Sequence, residues 1–136
     1  MDTVDLESRI AGFFAARAAD EGVVCVYLFG SRARHSERAS SDVDVAVLLS
    51  HDPPRTLEGL GLDLAADLEH HLGKPVDLII MNRAPVDLVH RILRDGRLIV
   101  ERDRSARIRF VVRARNAWFD LKPILDEYRR TGRHAG

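Results

Sequence analysis

Two short stretches constrain this chain more than anything else in it: Val23–Phe29, and the run from Asp42 to Leu49. Both are rich in β-branched and aromatic residues. The first stops at Gly30 and the second starts on acids, the pattern of buried strands bounded by turns. The polar segment Ser31–Ser41 between them is too long for a tight hairpin and long enough for one or two helical turns plus a loop. A third strand is expected from Val76 to Met81 after Pro75, and a fourth from Arg97 to Val100.

Helical spacing fills the rest. Leu6, Ile10, Phe13, Phe14 and Ala18 mark an opening amphipathic helix stopped by Gly22. Leu57, Leu60, Leu64, Leu68 and Leu72 mark a second, ended by Gly73, and Pro85 opens a third through Val89, Ile92 and Leu93 to Gly96. From about residue 103 to 130 a long helix carries Val111, Ala114, Trp118, Leu121, Leu125 and Tyr128, with Pro123 expected to kink or interrupt it, and the residues after Arg130 are expected to fray. The order α-β-α-β-α-β-α-β-α implies an α/β fold, a small mixed sheet of three to four strands with packed helices. At 136 residues, 46% of them hydrophobic, the chain has room for one domain, 1–136.

Charge excludes little and points nowhere globally. Lys plus Arg and Asp plus Glu both number 21, so steering of nucleic acid or of an anionic membrane would need a local patch. The acidic N-terminus has no apolar signal core, no stretch is long enough to span a bilayer, and the lone Cys25 sits in an apolar run, so a cytoplasmic setting is expected.

The chemistry is concentrated in Gly30-Ser31, a ten-residue gap, Asp42-Val43-Asp44, and Asp77 on the next strand. Residues two apart on a strand point to the same side, so Asp42 and Asp44 present carboxylates to one spot while Val43 and Val45 face the other way. Such a pair repels itself unless a cation lies between, and hard oxygen donors suit Mg²⁺, which shares its shell with substrate phosphates. With Asp77, two Mg²⁺ ions could be held, one at a leaving pyrophosphate and one at an attacking hydroxyl. Gly30 allows close backbone approach to a phosphate, Ser31 offers its hydroxyl and N–H, and Arg32 and Arg34 can neutralise triphosphate charge. The bland reading of the same residues is a serine cap, two aspartates in a turn and one at a strand edge.

These residues resemble the DNA polymerase β type nucleotidyltransferase superfamily, and within it the minimal MNT-domain antitoxins of HEPN/MNT toxin–antitoxin pairs. The similarity runs through Val26-Tyr27-Leu28-Phe29-Gly30-Ser31-Arg32-Ala33-Arg34 and Ser41-Asp42-Val43-Asp44-Val45-Ala46-Val47-Leu48, and more loosely through Lys74-Pro75-Val76-Asp77-Leu78 and the C-terminal helix. The resemblance implies ATP as donor, two Mg²⁺ on Asp42, Asp44 and Asp77, and AMP transfer to a tyrosine of a HEPN-domain RNase toxin. His35 stands where the family loop often has Gly. The alternatives are a catalytically silent antitoxin that works by contact, and a small-molecule or tRNA nucleotidyltransferase of the same superfamily.

Other candidates weigh less. His70 and His71 are adjacent rather than four apart, which fits a solvated helix end better than a zinc site. The arginines at 102, 104, 107, 109, 113 and 115, against a single Asp103, form a local excess that could meet phosphate, RNA or an acidic partner, or could simply be a solvated helix face. No aromatic residues interleave with them, so direct nucleic-acid binding is not expected.

Overall fold

The computed structural model describes residues 2–30, 42–56 and 61–135, with side chains left out at 18–21 and 133–135. Helix α1 (Thr3–Glu21) leads into β1 (Val23–Phe29) and β2 (Val43–Leu49). Then follow α2 (Leu62–Leu72), β3 (Val76–Ile80), a 3₁₀ turn at Met81–Arg83, α3 (Val86–Asp95), β4 (Arg97–Glu101) and α4 (Arg104–Ala135). The four strands lie in the order β3-β2-β1-β4. β1 runs antiparallel to β2 and to β4, whereas β2 and β3 are parallel, joined by the crossover that contains α2. The expected α/β fold with a small mixed sheet is what forms.

Alternation along the strands sorts the side chains into two cores. Val43, Val45 and Val47 of β2, with Val26 and Leu28 of β1, meet Leu6, Ile10, Phe13 and Phe14 of α1 and Leu64, Leu68 and Leu72 of α2. Cys25, Tyr27, Ala46 and Leu48 face the other way, against Val89 and Ile92 of α3 and Ala106, Phe110 and Ala114 of α4. Helices α1 and α4 start on aspartates: Asp2 Oδ1 accepts from Asp5 N at 2.8 Å, and Asp103 Oδ1 accepts from Ala106 N at 3.0 Å. The single acid in the arginine stretch is therefore the cap of α4.

Several boundaries differ from the sequence expectation. Met81 belongs to the 3₁₀ turn rather than to β3, and β4 extends to Glu101. Helix α2 begins at Leu62 after Gly61, whose left-handed φ of 81° breaks the helical repeat; Leu57 and Leu60 lie outside the described residues. α4 runs through Pro123 uninterrupted and continues to Ala135. The proline costs the Phe119 carbonyl its helical donor, but Phe119 is 67% exposed, so water can replace it. The turn at 126–131, just before that end, carries ion pairs Asp126–Arg129 and Glu127–Arg130 and the Thr131 hydroxyl donating to the Glu127 carbonyl. Trp118 packs as expected, its ring stacked on His90 of α3 at 4.0 Å, but Tyr128 is 76% exposed because α4 has passed the edge of the sheet.

Asn82 does what a further β3 residue would do. Its Oδ1 accepts from Leu49 N at 2.8 Å and its Nδ2 donates to Leu49 O at 2.9 Å, so the side-chain amide pairs the end of β2 after β3 has stopped. Arg83 adds a latch, donating from Nε and Nη2 to the Pro53 carbonyl at 2.9 and 2.6 Å. Replacing Asn82 by Ala leaves both Leu49 backbone groups without these partners, and urea unfolding is expected to show a loss of about 1–3 kcal/mol.

Candidate active site at the carboxylate end of the sheet

The glycine and the acids meet at one end of the sheet. Register places Phe29 opposite Asp44 across the β1–β2 pair, and Asp44 opposite Asp77 across the β2–β3 pair. Parallel neighbours are about 4.8 Å apart, so the Asp44 and Asp77 carboxylates emerge side by side on the face away from Val43 and Val45. Asp42 immediately precedes β2 and is exposed; Val43 is fully buried and its N–H donates to the Pro75 carbonyl at 3.1 Å, which pins the start of β2 to the start of β3. The β3 end of this junction is fixed from α2, where Glu69 Oε1 accepts from Val76 N at 2.9 Å.

Gly30 closes the other side. Its φ is +73°, in the left-handed region, and a Cβ built there would fall on Asp44 Oδ2 and lie 3.1 Å from Asp44 Cγ. The glycine thus leaves the space that the Asp44 carboxylate occupies. Ser31, Arg32, Arg34 and His35 lie outside the described residues.

The charges that act on Asp44 from the described residues are acidic. Burial, then the charge of Asp77, then that of Asp42, push the Asp44 carboxyl up to about 6. Among the described residues none of the three aspartates takes part in an ion pair. Nor, among those residues, do three His, Cys, Asp or Glu side chains close around a common point as a finished metal cage. What stands there is a half-buried carboxylate flanked by two more, a donor set of hard oxygens whose mutual repulsion a divalent cation would relieve. The residues present fit Mg²⁺ in kind and in charge.

Other residues singled out by sequence play structural parts. Cys25 is fully buried, and burial above all pushes its thiol up to about 12, so it is an inert core residue. His70 and His71 are exposed at the end of α2, with the His71 ring 5.5 Å from Phe13. Arg107 is spent on Glu101 at 2.5 Å and on a hydrogen bond to Tyr27. Sequence reasoning missed a cleft at the opposite end of β2, lined in part by Ser50, His51 and Asn82, because its walls come from five separate elements. Its one sequence signal was the arginine excess on α4.

Comparison with known proteins agrees with this fold. The family described as polymerase beta, nucleotidyltransferase matches residues 15–105. A solved structure assigned as a minimal nucleotidyltransferase is 32% identical, with a TM-score of 0.58 over 71% of this chain and 95% of the other. A toxin–antitoxin structure with AMP-PNP has a TM-score of 0.66 at 20% identity over 90% of this chain and 97% of that one. A tri-AMPylated Shewanella oneidensis HEPN toxin in complex with an MNT antitoxin gives 0.60 at 19% identity over 90% and 98%. None of the curated proteins compared with the chain matches it significantly. No helix among the described residues is long and apolar enough to cross a membrane. The family match spans well over half of the chain and covers β1, β2 and β3 with all their carboxylates, so this chain belongs to the polymerase beta nucleotidyltransferase family.

Proposed function

We propose that the chain, working as one unit from 1 to 136, transfers AMP from ATP to a tyrosine hydroxyl of a partner HEPN-domain RNase toxin, and so acts as its antitoxin in the cytoplasm. The observation that carries this reading is the corner where Gly30 makes room for Asp44 beside Asp77. The neighbouring structures with AMP-PNP and with an AMPylated HEPN toxin support the choice of donor and acceptor.

In this reading Asp42, Asp44 and Asp77 hold two Mg²⁺ ions. When bound, these ions offset the charge of the leaving pyrophosphate and acidify the attacking hydroxyl. Gly30 and Ser31 grip the triphosphate through backbone and hydroxyl, and Arg32 and Arg34 balance its charge. Asp77, exposed at the strand edge, helps take the acceptor proton. The tyrosine oxygen forms a bond to the α-phosphorus as the bond from that phosphorus to the bridging oxygen breaks, releasing pyrophosphate.

The test uses ATP labelled at the α-phosphate, Mg²⁺ and a HEPN-domain partner. Label is expected on the partner, and is expected to vanish with Asp42→Asn and Asp44→Asn. Inhibition of the toxin that persists without label would make the chain a contact inhibitor. Label on RNA or on a small hydroxylated compound instead would move it to another branch of the family.

A further inference from the structure

At the far end of β2 from the carboxylates lies a cleft of about 570 Å³, between the Leu49–Asp52 segment, the 3₁₀ turn and the first turns of α4. Leu48 stands four residues beyond Asp44, so the cleft is about 13 Å from the candidate active site along the strand. Its floor is apolar, with Leu48, Met81 and Val89 beneath and Phe110 at the side. The space exists because α4 carries Ala106, Ala114 and Ala117 where larger residues would fill it.

The rim is cationic. Arg109 and Arg113, one helical turn apart, are both exposed, and among the described residues neither forms an ion pair, unlike Arg107. His51 also lines the cleft, its Nδ1 3.1 Å from the Ser50 hydroxyl. Among the described residues the one acid in the lining is Asp52, which accepts from Asn82 Nδ2 at 3.4 Å. A pocket of this size takes one or two side chains rather than a whole helix, and its charge selects for acids around an apolar anchor.

We propose that this cleft is a docking pocket for an acidic peptide segment of the acceptor protein, held by an apolar side chain in the floor and by carboxylates on Arg109 and Arg113. The purpose assigned to it rests on the reading that the acceptor is a protein; the binding itself does not. Docking here would tether an acceptor while another part of it reaches the carboxylates, which separates the choice of acceptor from the chemistry.

The experiment has two arms. In the first, the ¹⁵N-labelled full chain is titrated with a peptide of glutamates and leucines around a central phenylalanine, and with the same peptide carrying lysine for glutamate. The acidic peptide is expected to move the amide signals of Ser50, His51, Phe110 and Arg113 and to leave those of Gly30 and Asp44 in place. The lysine peptide should move none. The double variant Arg109→Glu with Arg113→Glu should weaken the acidic peptide at least about tenfold, and Ala117→Trp should block it by filling the cleft without changing charge. Equal shifts with both peptides, no shifts, or unaltered binding in both variants would overturn the proposal.

In the second arm, transfer to the partner is expected to show a raised KM for the acceptor in the double arginine variant, with kcat and the KM for ATP unchanged. An unaltered acceptor KM removes the docking pocket and leaves the transfer reading intact. Charge-selective binding in the cleft with no transfer to any protein removes the transfer reading and leaves the pocket.

Discussion

Asp44→Asn is expected to abolish transfer and, in the absence of divalent cations, to make the protein more stable. The loss of activity follows from position: Asp44 is the half-buried carboxylate between Asp42 and Asp77, and without its charge the site holds cation and triphosphate poorly. A fall of about 10²–10³-fold or more is expected from removing one such electrostatic contact. The gain in stability follows from linkage. The Asp44 carboxyl in the folded chain is held up to about 6, above the ordinary aspartate value of 3.8, by burial and by its two acidic neighbours. The folded state therefore binds this proton more tightly than the unfolded state does. The stabilisation is complete below about pH 4 and is lost as pH rises through about 6, where the ionised carboxylate is strained.

At pH 7–8 the metal-free protein carries that cost in full. Allowing for the partial exposure of Asp44, it amounts to about 1–2 kcal/mol, so Asp44→Asn should raise Tm by about 3–8 °C. Melting curves from pH 4 to 8 in EDTA should show the wild type losing stability across that range relative to the variant. Added Mg²⁺ should close the gap by stabilising the wild type alone. Identical pH profiles for the two proteins would mean that neither burial nor the neighbouring carboxylates raise Asp44 in the folded chain.

What the sequence disclosed and what it withheld divide along the range of the interactions. β1 and the start of β2 were legible because a buried strand needs a continuous apolar run, and Gly30 and Asp42 mark where each run meets the active end. The side on which Asp44 projects was legible too, since strand alternation opposes it to the buried Val43 and Val45. The pairing of Asp44 with Asp77 was only an expectation from adjacency, because parallel register is set by the α2 crossover and by Glu69 and Pro75 at the strand starts, contacts that no local pattern encodes. Asn82 standing in for a strand residue was invisible for the same reason. The seam of α4 was read one turn too far at Tyr128: periodicity reports which way a side chain faces, not whether the sheet still extends beneath it.

Gly30 offers the sharpest test of how the corner is built, because Gly73 provides its control. Both glycines are left-handed, with φ of 73° and 68°. A Cβ at Gly73 meets nothing within 4 Å, whereas a Cβ at Gly30 falls on the Asp44 carboxylate. Gly73→Ala therefore measures backbone strain alone, about 1–2 kcal/mol, and should leave transfer unchanged. Gly30→Ala carries the same strain and in addition forces Asp44 to rotate or the β1 end to shift. Its expected cost is about 2–4 kcal/mol, with transfer falling about 10²-fold, since a displacement of about 1 Å at a reacting centre has that effect. Asp44→Ala removes the atoms that the new methyl would strike, so in that background Gly30→Ala should cost no more than Gly73→Ala does. A double-mutant cycle in urea would read the difference as a coupling of about 1–2 kcal/mol between Gly30 and Asp44. Strict additivity would mean that the glycine serves only the turn, and that the carboxylate owes its position to the β2–β3 register alone.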